Sequence, residues 1–187
     1  MTAKAFYDWQ TVGGGGDVTR AIAVLERLDV RWCAIGGVAV NHWAEEPMVT
    51  ADVDIVVVLE SVDAAVKALE AEGFVTERFQ WSVNVKGSSR VSIQISTEER
   101  YRDYPSRSIP ADVWGILMRV ASLEDTLAGK IAAYSDMSCR PSKRQKDFLD
   151  ILRLAESYPH IIALLPDTLR DEVKAKINPS NRTGEHE

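Results

Sequence analysis

The chain has 187 residues, of which 45% are hydrophobic and 27% are charged, and its formal net charge at pH 7 is −6. This length predicts one domain with a small extension, and this composition is typical of a soluble globular protein. The acidic balance argues against broad, non-specific binding of nucleic acid, because such binding depends on Lys and Arg, but it does not exclude a local basic patch.

Other simple classes of protein are also disfavoured by the sequence. Cys33 and Cys139 lie far apart and are expected to be free thiols in a reducing compartment. There is no apolar run long enough to span a membrane, and the first residues lack the apolar region of a signal peptide. We therefore expect a cytoplasmic protein with no membrane partner. The three histidines show no ligand spacing, so zinc is not expected.

The first predicted elements are a glycine-rich entry, a helix, and a strand that runs into a second helix. The four consecutive glycines predict a flexible loop, and Asp17 is placed to cap the helix that follows. A phosphate-binding loop is a poor alternative there, because no strand precedes the glycines and no Gly-Lys-Ser/Thr follows them. The strand VRWCAI then ends at Gly36-Gly37, and the helix VAVNHWAEE follows. After a loop broken by Pro47, DVDIVVVLE predicts a buried strand.

Alternating segments follow, and then helices. The helix SVDAAVKALEAEG has Ser61 as its cap and Gly73 as its stop. The segments FVTERF, WSVNVKG and RVSIQIS predict strands, and one further strand is expected within ADVWGILMRVAS. From Ser122, helical spacing extends through SLEDTLAGKIAAYSDM, SKRQKDFLDILRLAESYP, HIIALLP and DTLRDEVKAKI.

This order of elements predicts an α+β fold in four parts. Residues 1–16 are expected to be a flexible segment, and residues 17–121 form a mixed-sheet module. A small helical module covers residues 122–177, and residues 178–187 are expected to be a disordered tail.

Two aspartates lead into the most strand-like run of the chain. Because side chains alternate along a strand, Asp52 and Asp54 point to the same face, roughly 6–7 Å apart along it. Carboxylates at that separation can share divalent cations, and Mg²⁺ takes oxygen ligands while keeping waters and substrate phosphates in its shell. Two such ions can clamp the attacking and leaving oxygens of a phosphoryl transfer. The alternative is that both aspartates only solvate the exposed start of a strand.

Gly36 and Gly37 stand where a strand runs into a helix. Glycine lets a phosphate approach the backbone, and the N-terminus of a helix favours an anion. A tight strand-to-helix turn is the alternative. A dinucleotide-binding fingerprint is excluded, because it requires glycine where the chain has Val38 and Asn41.

The strand, the two glycines, the helix and the segment Thr50-Ala51-Asp52-Val53-Asp54 together resemble the nucleotidyltransferase superfamily. The closer resemblance is to its abortive-infection (AbiEii/MenA-like) toxin-type branch. The resemblance implies an Mg²⁺-dependent enzyme that moves an NMP from an NTP to an acceptor hydroxyl of tRNA, another RNA or a protein. It also implies a toxin with an antitoxin partner. By this resemblance Gly36, Gly37 and Thr50 bind the nucleotide, and Asp52 and Asp54 hold Mg²⁺.

The resemblance continues into the helical module. Toxin-type members carry a Lys on the first helix of the second half and an Asp within a Lys-Asp-x-x-Asp stretch, which Lys130 and Asp147 match. A Lys neutralises phosphate as a point charge, and the Asp could orient it or accept a proton from the acceptor group. The segment CRPSKRQKD is a local basic patch, from which Lys143 and Lys146 are expected to contact the nucleotide. A solvated helix start with ion pairs is the alternative.

The chain departs from the family pattern at two places. Met48 stands where the family commonly has Arg, and Ser92 and Gln94 stand where many members place a third carboxylate. Since that third acid usually serves the attacking group, Glu98 or Glu99 just past the strand is a candidate replacement. The alternative function is a catalytically impaired module that binds a nucleotide or a partner without transferring anything.

Overall fold

The computed structural model describes residues 14–50, 52–113 and 115–177. Of the flexible segment expected over residues 1–16, residues 1–13 lie outside the described residues, whereas Gly15 and Gly16 belong to a helix that begins at Gly15, so the predicted glycine loop does not extend to them. The disordered tail expected over residues 178–187 also lies outside the described residues.

The described residues form strands and helices with the following bounds. The strands are β1 (Trp32–Ala34), β2 (Asp52–Val57), β3 (Val75–Arg78), β4 (Ser82–Lys86), β5 (Ser92–Ser96), β6 (Ile109–Val113) and β7 (Ile116–Val120). The α-helices are α1 (Gly15–Arg27), α2 (Gly36–Trp43), α3 (Val62–Ala71), α4 (Tyr104–Arg107), α5 (Leu123–Ser135), α6 (Pro141–Ser157) and α7 (Asp167–Ile177). Short 3₁₀ turns cover Leu59–Ser61, Glu99–Tyr101 and Pro159–Leu164.

The strands make one mixed sheet in the order β3-β4-β5-β2-β1-β7-β6. Strand β2 lies in the middle, antiparallel to β1 and parallel to β5. Because β2 has a strand neighbour on each edge, its last residues are buried, which explains why the β-branched run Ile55-Val56-Val57 occupies it. This sheet with its helices confirms the predicted α+β class.

One face of the sheet is covered by α1 and α3. Leu25 of α1 and Leu69 of α3 are fully buried against the inward side chains of the central strands, among them Ile55 and Ile93. The apolar positions of both helices recur at helical spacing, so each buries a single stripe on the sheet.

The helical module has its own core. Ile151 and Leu154 of α6 are fully buried together with Leu127 of α5 and Val173 of α7. Val40 of α2 belongs to the same cluster, so the helix that begins at the two glycines is packed directly against the second module. Helix α5 begins as predicted, because the Ser122 hydroxyl accepts a hydrogen bond from the Asp125 N–H at 3.1 Å.

Two local predictions are wrong. Asp17 does not cap α1, since the helix begins at Gly15 and Gly14 occupies the cap position. The Asp17 side chain is instead buried and accepts a hydrogen bond from the backbone N–H of Ser89, in the turn between β4 and β5. In ADVWGILMRVAS the structure has parts of two strands, β6 and β7, because Gly115 turns the chain at a φ of 87°.

No helix among the residues described is both long and apolar enough to cross a membrane.

Candidate active site

A cleft of about 300 Å³ lies between the sheet and the helical module. All nine residues that the sequence nominated for the site line this cleft: Gly36, Gly37, Thr50, Asp52, Asp54, Lys130, Lys143, Lys146 and Asp147. They come from four separate stretches of the chain, so the fold is what gathers them. Their roles remain predictions.

Asp52 and Asp54 enter the cleft from the start of β2. Asp52 is exposed and Asp54 is half-buried. The backbone carbonyl of Asp54 accepts a hydrogen bond of 2.8 Å from the Ile35 N–H, which fixes β2 against the strand that leads into α2. Burial raises the pKa of the Asp54 carboxyl; the Lys130 ammonium opposes this shift, and the Asp52 carboxylate adds to it. A desolvated carboxylate beside a second one is stabilised by a proton or by a cation.

The two glycines make close contact with this carboxylate pair possible. Gly36 has a φ of 62°, and a Cβ built on it would lie 2.2 Å from Asp54 Oδ2. A Cβ on Gly37 would lie 2.9 Å from the Thr50 hydroxyl oxygen, which itself donates to the Asp52 carbonyl. The N-terminal N–H groups of α2 therefore begin immediately beside the aspartates. Such N–H groups lack intrahelical acceptors and favour anions.

The donor chemistry of the aspartate pair fits magnesium. Two carboxylates supply hard oxygen ligands, and Mg²⁺ usually completes its shell with waters and substrate phosphates. Within the described ranges, no group of three or more His, Cys, Asp or Glu side chains is arranged to hold a metal. Asp52 and Asp54 would therefore hold the ion with the nucleotide rather than in an all-protein cage.

Lys130 is held between two carboxylates of α6. Its Nζ lies 2.9 Å from Asp147 Oδ1 and 2.7 Å from Asp150 Oδ2. Burial alone would lower the pKa of Lys130, but the Asp150 and Asp147 carboxylates outweigh it, so that the pKa is raised and the ammonium stays charged. The buried Asp147 Oδ2 accepts no hydrogen bond within the described part of the chain, and Lys143 Nζ approaches it at 3.6 Å.

The basic patch divides into two sides. Lys143 and Lys146, on the first turns of α6, line the cleft. Arg144 points elsewhere: its Nε donates to the Tyr134 carbonyl at 2.7 Å, and its guanidinium lies 5.3 Å from the centre of the Tyr134 ring. The lysines are thus the part of the patch that faces the candidate site.

Further residues of the cleft lie around the place of the missing third carboxylate, where the sequence had marked Gln94 and Glu98. Gln94 lies directly beside Asp54 in the parallel β2–β5 register, and Ser96 and Glu98 continue along the same side. Of the two candidate acids after β5, Glu98 is among the lining residues and Glu99 is not. Tyr101 also lines the cleft, and its ring approaches Gly129, where a Cβ would lie 3.6 Å from Tyr101 Cε1. The spacing of Gln94, Ser96 and Glu98 is a usable sequence signal, whereas none marks Tyr101.

Asp125 also lines the cleft, and the sequence analysis did not predict it. Arg107 donates to both of its oxygens, at 3.0 and 2.8 Å. This two-bond pairing occupies the carboxylate, so Asp125 acts as a structural link between α4 and the start of α5.

Comparisons with known proteins identify the family of the chain. The family model described as "Nucleotidyl transferase AbiEii toxin, Type IV TA system" matches residues 38–185. No curated protein sequence matches the chain.

Solved structures show the same fold at low identity. The antibiotic-resistance factor ANT(2″)-Ia, in complex with adenylyl-2″-tobramycin, has a TM-score of 0.54 and 14% identity over 85% of this chain and 95% of its own. The lincosamide antibiotic adenylyltransferase LnuA, lincomycin-bound, has a TM-score of 0.52 and 12% identity over 74% of this chain and 96% of its own. An antigenic nucleotidyltransferase-like protein from Paracoccidioides brasiliensis has a TM-score of 0.52 and 17% identity over 89% of this chain and 87% of its own.

Proposed function

The chain belongs to the AbiEii family of nucleotidyltransferase toxins, and from that premise we propose that it transfers an NMP from a Mg²⁺-bound NTP to an acceptor hydroxyl. We also propose that it acts as the toxin of a toxin–antitoxin pair, in the cytoplasm and with an antitoxin as its partner. Family membership and fold make the chain a nucleotidyltransferase. The metal, the acceptor and the residue roles are the proposal.

One observation carries this proposal. The two glycines at the start of α2, the aspartate pair of β2 and the Lys130–Asp147 pair of the helical module all line one cleft. A triphosphate needs N–H donors, cations and a metal-binding carboxylate set within reach of one another. The cleft provides all three kinds of group.

The nucleotide is bound mainly through its phosphates. The first N–H groups of α2, at Gly36 and Gly37, lie beside the aspartates, where they would donate to the phosphates. Lys130, Lys143 and Lys146 supply positive charge from the opposite wall. Because Lys130 is anchored by two carboxylates, its ammonium is already positioned before the nucleotide binds.

The transfer is a displacement at the α-phosphorus. The acceptor oxygen forms a bond to that phosphorus, the bond from the phosphorus to the bridging oxygen of the β-phosphate breaks, and pyrophosphate leaves. The acceptor proton passes to a carboxylate. We assign this role to Glu98, which lines the cleft and forms an ion pair with the exposed Arg100, whereas Asp147 is bound to the buried Lys130 ammonium. When bound at Asp52 and Asp54, Mg²⁺ would neutralise the charge that develops on the phosphoryl oxygens.

The decisive experiment is a transfer assay with α-labelled NTPs. The purified protein is incubated with Mg²⁺, each labelled NTP and a cell extract, and RNA and protein fractions are separated afterwards. Label should enter one fraction, and removal of divalent cations with EDTA should stop it. The Asp52→Ala/Asp54→Ala double variant should show no transfer while keeping the wild-type circular dichroism spectrum.

The outcomes separate the alternatives. Absence of transfer with every NTP, combined with tight nucleotide binding by calorimetry, would identify a nucleotide-binding module that has lost its chemistry. Equal transfer by the double aspartate variant would show that the cleft is not the active site. The fraction that carries the label identifies the acceptor as RNA or protein.

A further inference from the structure

The cleft that contains the aspartate pair also contains hydroxyl groups of the chain itself. Five hydroxyl side chains line it: Thr50, Ser96, Tyr101, Tyr104 and Thr126. Four of these residues are buried, with between 4% and 6% of their surface exposed, whereas Tyr101 is half-buried. The Tyr101 phenol therefore belongs to the residue of this set that is most open to the cleft.

The Tyr101 hydroxyl is also free of other contacts. The hydroxyls of Thr50 and Thr126 each donate to a backbone carbonyl, at 2.9 and 3.4 Å. Within the described part of the chain, the Tyr101 hydroxyl forms no hydrogen bond, and it is not one of the enclosed polar atoms that lack a partner there. Its oxygen is thus both reachable from the cleft and available to react.

The ring of Tyr101 is held in place by its neighbours. It packs edge-to-face on the ring of Tyr104, with the centroids 5.1 Å apart and the planes at 73°. It also lies against α5, where a Cβ built on Gly129 would be 3.6 Å from Tyr101 Cε1, one residue before Lys130. A ring fixed in this way keeps the phenol oxygen in a constant position relative to a bound substrate.

Glu98 lies in the same short turn as Tyr101. The Tyr101 N–H donates to the Glu98 carbonyl at 3.1 Å, and side chains three residues apart in a 3₁₀ turn lie on the same side of it. Both side chains line the cleft. Burial raises the pKa of the Tyr101 phenol, and the Glu98 and Asp54 carboxylates add to this shift. The phenol is therefore neutral at pH 7, and its attack on a phosphate requires a base that takes the proton.

We propose that the enzyme also nucleotidylates itself on Tyr101. The Tyr101 oxygen forms a bond to the α-phosphorus of the bound NTP, the bond from that phosphorus to the bridging oxygen of the β-phosphate breaks, and pyrophosphate leaves. The phenol proton passes to Glu98. The inference rests on the proposed nucleotidyl transfer, to which it adds an acceptor within the chain.

Self-modification would limit the activity of the enzyme. An acceptor that is part of the cleft needs no diffusional encounter, so it competes well whenever an external acceptor is scarce. The cleft has a volume of only about 300 Å³, and an NMP attached to Tyr101 would occupy the space of the next NTP. A modified chain should therefore be inactive toward other acceptors.

The test uses the purified full chain without cell extract. It is incubated with Mg²⁺ and each α-labelled NTP, and the adduct is located by mass spectrometry of the intact chain and of its peptides. Tyr101→Phe keeps the ring and removes the hydroxyl. Tyr104→Phe is the matched control, because Tyr104 is the neighbouring tyrosine of the same cleft and is 6% exposed.

The two variants should behave differently. Wild type and Tyr104→Phe should each gain a single NMP on Tyr101, and Tyr101→Phe should gain none while keeping the wild-type circular dichroism spectrum. Wild type that is first incubated with the NTP alone should lose transfer to the extract in proportion to its adduct. Tyr101→Phe should keep its transfer through the same incubation.

A mixing experiment shows whether each chain modifies itself. Wild type is combined with a mass-tagged Asp52→Ala/Asp54→Ala variant, which retains Tyr101 but lacks the metal-binding pair. Only the wild-type chain should become labelled, and the first-order rate of labelling should not depend on protein concentration.

Three results would overturn the inference and leave the proposed function intact. The first is equal labelling of Tyr101→Phe and wild type. The second is purified wild type that stays unlabelled although it transfers an NMP to the extract. The third is labelling of the double aspartate variant by wild type, which would show a reaction between chains. Absence of label on both the protein and the extract would instead contradict the proposed function.

Discussion

The backbone of Gly36 lies against the carboxylate of Asp54, so closely that a single methyl group would not fit between them. The φ of Gly36 is 62°, and its added Cβ would lie 2.2 Å from Asp54 Oδ2. The strand-to-helix turn at Gly36 and the start of β2 at Asp54 are therefore packed directly against each other. Any side chain at position 36 must displace the Asp54 carboxylate.

Gly36→Ala should abolish transfer without unfolding the protein. Displacement of Asp54 by about 1 Å is expected to reduce kcat by on the order of 100-fold. The left-handed backbone should cost only about 1–2 kcal/mol of unfolding free energy. The control is Gly16→Ala, since a Cβ on Gly16 in α1 meets nothing within 4 Å. Kinetic and thermal-unfolding measurements check both, and equal activity of the two variants would contradict the proposed site.

Asp17 should stabilise the sheet in a pH-dependent manner. Burial by itself would raise its pKa, but hydrogen bonds from Ser89 and Ser88 outweigh this, so that the pKa is lowered from its ordinary value of 3.8. A lowered folded-state pKa means that the stabilisation is present above 3.8 and is lost as the pH falls through the folded-state pKa. Asp17→Asn should therefore lower the free energy of unfolding by about 1.5–3 kcal/mol at pH 7. The loss should be smaller below pH 3.8.

Urea unfolding at several pH values measures this difference. The control is Asp63→Asn, because the Asp63 side chain is 78% exposed and forms a surface ion pair with Arg78. A surface pair of this kind contributes about 0–1 kcal/mol. A loss for Asp17→Asn that does not change between pH 7 and pH 3 would show that the carboxylate charge is not what holds the β4–β5 turn.

Much of the site could be predicted from the sequence because its signals are local. Asp52 and Asp54 are two residues apart on one strand, and Gly36-Gly37 ends the preceding one. Both patterns depend only on alternation and on glycine geometry. Lys130 and Asp147 came from the family resemblance, and the structure places them 2.9 Å apart at Nζ and Oδ1.

The remaining residues depend on contacts between distant stretches of chain. Gln94 lies beside Asp54 only because β5 runs parallel to β2, and such a register is not encoded in either strand alone. The second strand of the β6–β7 hairpin was missed because a glycine inside an apolar run was not interpreted as a turn. Asp17 was misassigned because a residue suited to a helix cap was used by a turn more than 70 positions away.

Lys130→Ala should remove both activity and stability. It would leave Asp147 and Asp150 buried without the ammonium between them, which is expected to cost about 3–5 kcal/mol. The double variant Lys130→Ala/Asp150→Asn removes one of the two charges and should regain part of the unfolding free energy. It should regain no transfer, because the cation at the phosphates is still missing. Recovery of transfer in the double variant would show that Lys130 acts only as a structural partner.

Glu98→Gln should reduce kcat far more than Glu99→Gln. The two acids are adjacent and each forms an ion pair, Glu98 with Arg100 and Glu99 with Arg102, but only Glu98 is among the residues that line the cleft. Loss of a general base typically costs about 10²–10⁴-fold in rate. The KM for NTP should stay near the wild-type value, since Glu98 is not assigned to the nucleotide. Equal rates for the two variants would remove Glu98 from the mechanism.

Arg153 links the helical module to the segment that leads to the aspartate pair. Its Nη1 lies 2.9 Å from Asp150 Oδ1, and its Nη2 donates to Asn41 Oδ1 at 2.7 Å and to the Glu46 carbonyl at 2.6 Å. Asn41 in turn accepts from the Met48 N–H at 2.9 Å. The guanidinium thus connects the carboxylate that holds Lys130 with the loop before Thr50.

Arg153→Lys keeps the charge beside Asp150 but cannot keep the fork of hydrogen bonds. We expect a loss of about 1–3 kcal/mol in unfolding free energy and about tenfold in kcat. Arg170→Lys is the control, because Arg170 makes a similar fork, to the Leu165 carbonyl and to Asp167, within the helical module alone. That variant should lose stability without losing kcat. If both variants lose kcat in proportion to their loss of stability, Arg153 does not position the site. A kcat loss that occurs in Arg153→Lys but not in Arg170→Lys would identify the link between the modules as part of the catalytic geometry. In that case Asp150→Asn should lower kcat in the same way.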